Sequence, residues 1–160
     1  MRTCSVENLT RGEIGLVDPN GRSLAFAVGD QQGNAQTLVL STENLRPSAR
    51  SEVYCLLLAP SEARNWPAAI AFDDAEMSPD ISSLTCGFEI PERALVPASE
   101  GGLRLAVRAN GWSLALFDAA TSELSDFSPS RSSWYFTKWA VTIPSPTHHG
   151  IREAIFSVEI

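Results

Sequence analysis

Leu103-Arg-Leu-Ala-Val-Arg-Ala109, then Asn110-Gly111, then Trp112-Ser-Leu-Ala-Leu-Phe-Asp118 run on without interruption, and their reading decides the fold. Asn-Gly tolerates positive φ at both central positions of a type I′ turn, whose twist matches that of paired strands. With Asn110 and Gly111 as the loop, Ala109 is expected opposite Trp112, Val107 opposite Leu114, and Leu105 opposite Leu116. Alternation puts these six on one face together with Leu103. The other face carries Arg104, Ala106, Arg108, Ser113, Ala115 and Phe117, a mixed set able to meet solvent.

Further turn signals flank this hairpin. Asp18-Pro19-Asn20-Gly21 suits a type I turn with a bulge, joining Glu13–Val17 to Arg22–Val28 as a second hairpin. Gln36 to Leu40 is a short β-type run. Glu52 to Leu58 is a continuous apolar run ended by Pro60, as expected of a strand buried on both faces. Ser61 to Trp66 is expected to make one helical turn capped by Ser61 and stopped by Pro67. Pro91 to Ala98 is a candidate for another.

Ala68–Phe72, Leu84–Ile90, Trp134–Ile143 and Ala154–Ile160 complete the strand candidates. No segment sustains helical periodicity, and no internal repeat is visible. The chain therefore reads as all-β: a single domain over residues 1–160, an antiparallel β-sandwich of jelly-roll or immunoglobulin-like type. About nine strands and one or two short helical turns are expected.

The 160 residues carry a net charge of −7, which repels phosphate backbones and excludes non-specific nucleic-acid binding. It also disfavours electrostatic capture by an anionic membrane, though not hydrophobic insertion. No window approaches a membrane span, and Met1 to Asn8 lacks the apolar core of a signal peptide. A cytoplasmic location is expected, with secretion by another route left open. Cys4, Cys55 and Cys86 lack C-x-x-C spacing, and Cys55 and Cys86 lie in apolar runs, so buried free thiols are expected.

Chemistry-bearing residues are sparse. Trp134, Tyr135 and Trp139 lie in the densest aromatic segment, and alternation puts tryptophans on both faces of one strand, so at least one ring is a candidate for exposure. Arg104 and Arg108, four apart on the hairpin's second face, could read a carboxylate. These five are the candidate ligand-binding residues.

Asp73, Asp74, Glu76 and Asp80 gather four carboxylates in one loop and are the candidate metal ligands, for Ca²⁺. The loop has no glycine and no EF-hand pattern, so a solvated acidic loop is the simpler reading. His148-His149 match no zinc spacing. There is no G-x-S-x-G elbow, no phosphate-binding glycine loop, and only the number of Asp73, Asp118, Glu123 and Asp126 to suggest a carboxylate pair.

With no catalytic signature, the expected function is a non-catalytic interaction module. It would engage a protein or glycan partner through loops or an aromatic surface. A toxin-type component that binds membrane lipid is the first alternative, and a small β-sandwich enzyme with an unrecognised site the second. Self-association is compatible with all three.

Overall fold

The computed structural model describes residues 1–18, 20–29, 35–108, 113–127 and 131–160. Pro19 and the lead hairpin's turn, with Asn110, Gly111 and Trp112, lie outside these. The described chain is almost entirely antiparallel β-structure. β1 (Arg2–Cys4), β2 (Ile14–Leu16), β3 (Ser23–Val28), β4 (Gln36–Ser41), β5 (Cys55–Leu58) and β6 (Ala69–Phe72) form one sheet, ordered β1-β6-β2-β3-β4-β5.

β7 (Glu76–Pro79) leaves for a third sheet. β8 (Leu84–Gly87), β9 (Leu95–Pro97), β10 (Leu103–Val107), β11 (Ala115–Asp118), β12 (Glu123–Asp126) and β13 (Ser133–Phe136) form the second, ordered β12-β11-β10-β9-β13-β8. β14 (Lys138–Pro144) and β15 (Arg152–Glu159) complete the third, ordered β15-β14-β7.

These orders contain a repeat that the sequence hid. In each six-stranded sheet four consecutive strands meander, the sixth strand returns beside the second, and the first pairs outside the sixth. Phe72 pairs with Ile14 in one sheet and Phe136 with Leu95 in the other. Met77 and Val141 each lie five residues beyond those phenylalanines and stand directly opposite each other in the third sheet. Equivalent residues thus meet as they would at a twofold axis.

The junctions also correspond. After β3, Gly29 N–H donates to the Ser122 carbonyl at 2.9 Å, just before β12. After β10, the Arg108 backbone N–H faces the Cys55 thiol at the start of β5 and lowers its pKa.

Both inner sheet faces meet in one core. Leu24, Phe26, Leu38 and Leu40 from the first sheet pack with Leu95, Leu105, Val107 and Phe117 from the second, and Trp139, Val141 and Phe156 close the end. The Phe26 and Phe117 rings meet edge-on at 5.2 Å between centroids, a favoured aromatic geometry.

Smaller clusters cover the outer faces. Val6, Leu9 and Ala63 pack over Val39, Leu56 and Leu58; Ile90, Ala94 and Leu114 pack over Ala106 and Leu116. β5 is buried on both faces, as its apolar run requires: Cys55 points into the shared core, Leu56 and Leu58 to the outer cluster.

The lead hairpin forms with a register one residue away from expectation. Leu105 stands opposite Phe117, not Leu116, and Val107 opposite Ala115. A one-residue slip exchanges the faces of a strand. Phe117 and Ala115 therefore join the shared core, while Leu116 and Leu114 turn outward and are buried there with Ala106. The second hairpin is as expected, with Gly21 at φ +71° donating to the Asp18 carbonyl at 2.9 Å.

The 15 strands among the described residues exceed the expected count because several are only three or four residues long. The run Trp134–Ile143 is two strands broken at Thr137, entering different sheets. Around Pro91 to Ala98 there is a strand and no helix. Among the described residues the single α-turn, α1 (Pro60–Ala63), is not capped by Ser61. Glu62 reaches back to accept the Ala59 N–H at 3.3 Å, and Pro60 opens the turn.

Candidate functional site

The break at Thr137 decides the fate of the two tryptophans of the aromatic segment. Phe136 ends β13 in the shared core, and after one residue the chain re-enters with Trp139 pointing into the same core. Trp139 is 3% exposed, and its indole N–H donates to the Arg93 carbonyl at 2.7 Å. Its ring is thus held in the core rather than presented on the surface. Tyr135 is half-buried against the outer cluster around Ile90. Trp134 alone is open, at 57% exposure.

Trp134 stands beside Cys86 of the edge strand β8. The Thr137 N–H donates to the Ser83 carbonyl at 3.5 Å, in the same register as β8 and β13. Hydrogen-bonded pairs alternate along an antiparallel ladder, so Thr85 faces Tyr135 with its backbone groups, and Cys86 turns its N–H and C=O to the free edge. The Leu84 C=O faces the same way, while its N–H is taken by the Ile81 carbonyl.

Around this edge lie Leu84 (42% exposed), Phe88 (68%) and Ile81 (72%). Cys86 is exposed as well, against the expectation of a buried thiol; its apolar run is an edge, not an interior strand. Ile81 to Phe88 contains no charged residue and no proline. The surface is thus an apolar strip beside an open row of backbone donors and acceptors.

A second cluster lies where the two halves meet. Cys55 is buried and its thiol is pushed well up, chiefly by burial. Glu92 lies against it with its carboxyl held above the usual range by desolvation; hydrogen bonds from Cys55 and the Arg108 N–H pull the other way. Arg93 adopts φ +72°, a left-handed conformation that costs a non-glycine residue on the order of 1 kcal/mol. Its guanidinium carbon sits 3.8 Å from the centroid of the Tyr54 ring, and the Tyr54 hydroxyl donates to Glu52 at 2.7 Å.

Glu92 Oε1 and Arg93 Nε are buried without a partner among the described residues. Burial pushes the thiol pKa up and so disfavours the thiolate that a nucleophilic cysteine needs. The cluster works as a latch that ties β5 to the turn before β9. No motif in the sequence announced it, because its members converge only through the packing of the two sheets.

The remaining candidates disperse. Arg104 pairs with Glu100, and Arg108 is exposed beyond the end of β10. Asp80 accepts from the Ser82 N–H at 2.9 Å and its hydroxyl at 2.7 Å, capping the 3₁₀ turn Ile81–Ser83. Glu76 lies on β7 and pairs with Arg152 at 3.5 Å, whose Nη2 also donates to the Asp74 carbonyl. Asp73 and Asp74 are exposed.

Among the described residues no three His, Cys, Asp or Glu side chains are placed to hold a metal. Among the described residues a groove of about 590 Å³ beside Gly29 and Ser122 has Arg11 and Glu123 as its charged lining and neither His nor Cys. Comparison with known protein families, curated proteins and solved structures returned no match.

Proposed function

We propose that this chain is a non-catalytic protein-binding module that takes an extended segment of a partner onto β8, with Trp134 and Phe88 as anchors. One observation carries the reading. An exposed strand edge is a template for another chain, and stable proteins guard such edges with charge, proline or cover. Of the six sheet edges among the described residues, β1 carries Arg2, β12 carries Glu123 and Asp126, β15 carries Arg152, Glu153 and Glu159, and β7 carries Glu76 and Pro79. β5 is buried. β8 alone is exposed and unguarded.

The halves sharpen the contrast. In the first, Arg2 on β1 holds Glu13 at 2.7 Å and the Asn8 carbonyl at 2.9 Å, and the chain beyond β1 folds in with Val6 buried. In the second, the chain beyond β8 leaves Phe88 in solvent. Strand addition draws affinity from main-chain hydrogen bonds and selectivity from alternate side chains, which this edge can supply.

The test is binding of a peptide array with alternating apolar residues to wild type, Cys86→Pro and Trp134→Lys. Proline at 86 removes only an outward N–H, which an edge strand tolerates. Binding with a Kd on the order of micromolar by wild type, lost in both variants, supports the proposal. Indifference of binding to both changes overturns it. Flotation of wild type with liposomes, abolished by Trp134→Lys, would assign the strip to a lipid surface instead.

A further inference from the structure

Resting on the reading that β8 accepts a strand, we infer that its occupant is β8 of a second copy, paired antiparallel about a twofold axis through Cys86. The edge is self-complementary. Cys86 turns both N–H and C=O outward, so two copies can exchange both hydrogen bonds at this position. In that register the Leu84 carbonyl of one copy comes beside Phe88 of the other. Thr85 and Gly87, on the opposite face, are small enough to sit across from each other.

Charge also selects a second copy. Two chains of −7 repel, and contact is cheapest where neither brings charge to the interface. Ile81 to Phe88 is an uncharged stretch bounded by Asp80 and Glu89. In the antiparallel register Glu89 of one copy comes opposite Ser83 of the other, so no like charges meet within the strip.

The area suffices for a reversible dimer. A fully buried aromatic ring contributes about 150–250 Å², and Phe88 and Trp134 are both more than half exposed. With Leu84 and Ile81 the strip offers on the order of 500 Å² per copy, or on the order of 1,000 Å² for the pair, the lower bound of a specific interface. An interface at this lower bound belongs with weak, reversible contacts, for which a dissociation constant on the order of 1–100 µM is the working range. Association should strengthen a few-fold with added salt, since salt screens the repulsion and the contact holds no ion pairs.

Sedimentation velocity over a concentration series tests the inference. Wild type is expected to shift from monomer to dimer, while Leu84→Lys, Trp134→Lys and Cys86→Pro stay monomeric or weaken at least about tenfold. Each variant is checked for an unchanged β circular dichroism spectrum, and the two lysine changes, at exposed side chains, keep the test alive should the proline variant misfold. A short bismaleimide should link wild type into dimers and fail with Cys86→Ser.

A dimer that survives all three edge changes overturns the inference. So does wild type that stays monomeric to several hundred micromolar, well above the range expected for such an interface. In the monomeric case a synthetic peptide of residues 81–89 separates the two claims. Array peptides bound by wild type and not by Cys86→Pro, with the 81–89 peptide unbound, leave strand addition standing with a foreign partner; no binding of either removes both.

Discussion

The Trp139 indole N–H reaches the backbone carbonyl of Arg93 at 2.7 Å, tying the third sheet to the strained turn that precedes β9. This bond explains how a non-glycine residue is held at positive φ: its carbonyl is fixed by the indole, its N–H donates to the Ala106 carbonyl at 2.7 Å, and its guanidinium lies on Tyr54.

Trp139→Phe keeps most of the buried ring and strands that carbonyl. An unsatisfied buried acceptor costs about 1–3 kcal/mol. Urea unfolding should show a lower midpoint at unchanged slope. An unaltered midpoint would mean that the carbonyl is satisfied some other way.

Glu92 gives stability a pH dependence of definite sign. Its carboxyl is raised above the ordinary value of 4.5, so the folded state prefers it protonated. Its contribution is therefore complete below that ordinary value and fades as pH rises through the folded one. Glu92→Gln should stabilise the protein at neutral pH and lose that advantage near about pH 4. Thermal melts at both pH values decide it, and a destabilised variant at neutral pH would show that the ionised carboxylate is needed.

Glu13 acts in the opposite direction. The Arg2 guanidinium holds its carboxyl down at about 2, and the Thr10 N–H adds a bond at 2.8 Å. The stability it provides is present at neutral pH and drains away as pH falls from about 4.5 towards about 2. Glu13→Gln should cost about 1–2 kcal/mol at neutral pH, the discount reflecting the partly exposed Arg2, and progressively less as pH falls through about 2. A cost independent of pH would assign the loss to packing.

Both hairpins were legible because their turns and alternation are local. The register of the first was not. Leu114 and Leu116 on one face and Ala115 and Phe117 on the other are all apolar, and the second sheet is covered on both sides, so amphipathicity could not choose between them. Trp134 and Trp139 differ only because Thr137 ends one strand and lets another begin in a new sheet. The repeat in strand order leaves no matching sequence at the paired positions: by register Thr3 of β1 corresponds to Cys86 of β8, and Cys4 to Gly87.

The open β8 edge was hidden for a different reason. Leu84 to Phe88 has the composition of an interior strand, and only the order of strands makes it an edge. The Glu92 latch likewise joins residues far apart in the chain.

Amide hydrogen exchange at Cys86, compared with Thr85, reads the open edge most directly. Thr85 should be protected at every protein concentration, because its N–H faces β13. Cys86 should exchange freely in dilute protein and slow progressively as concentration rises and a second copy covers it. Equal protection of the two amides in dilute protein, or a Cys86 rate indifferent to concentration while the mass doubles, would contradict strand pairing at β8.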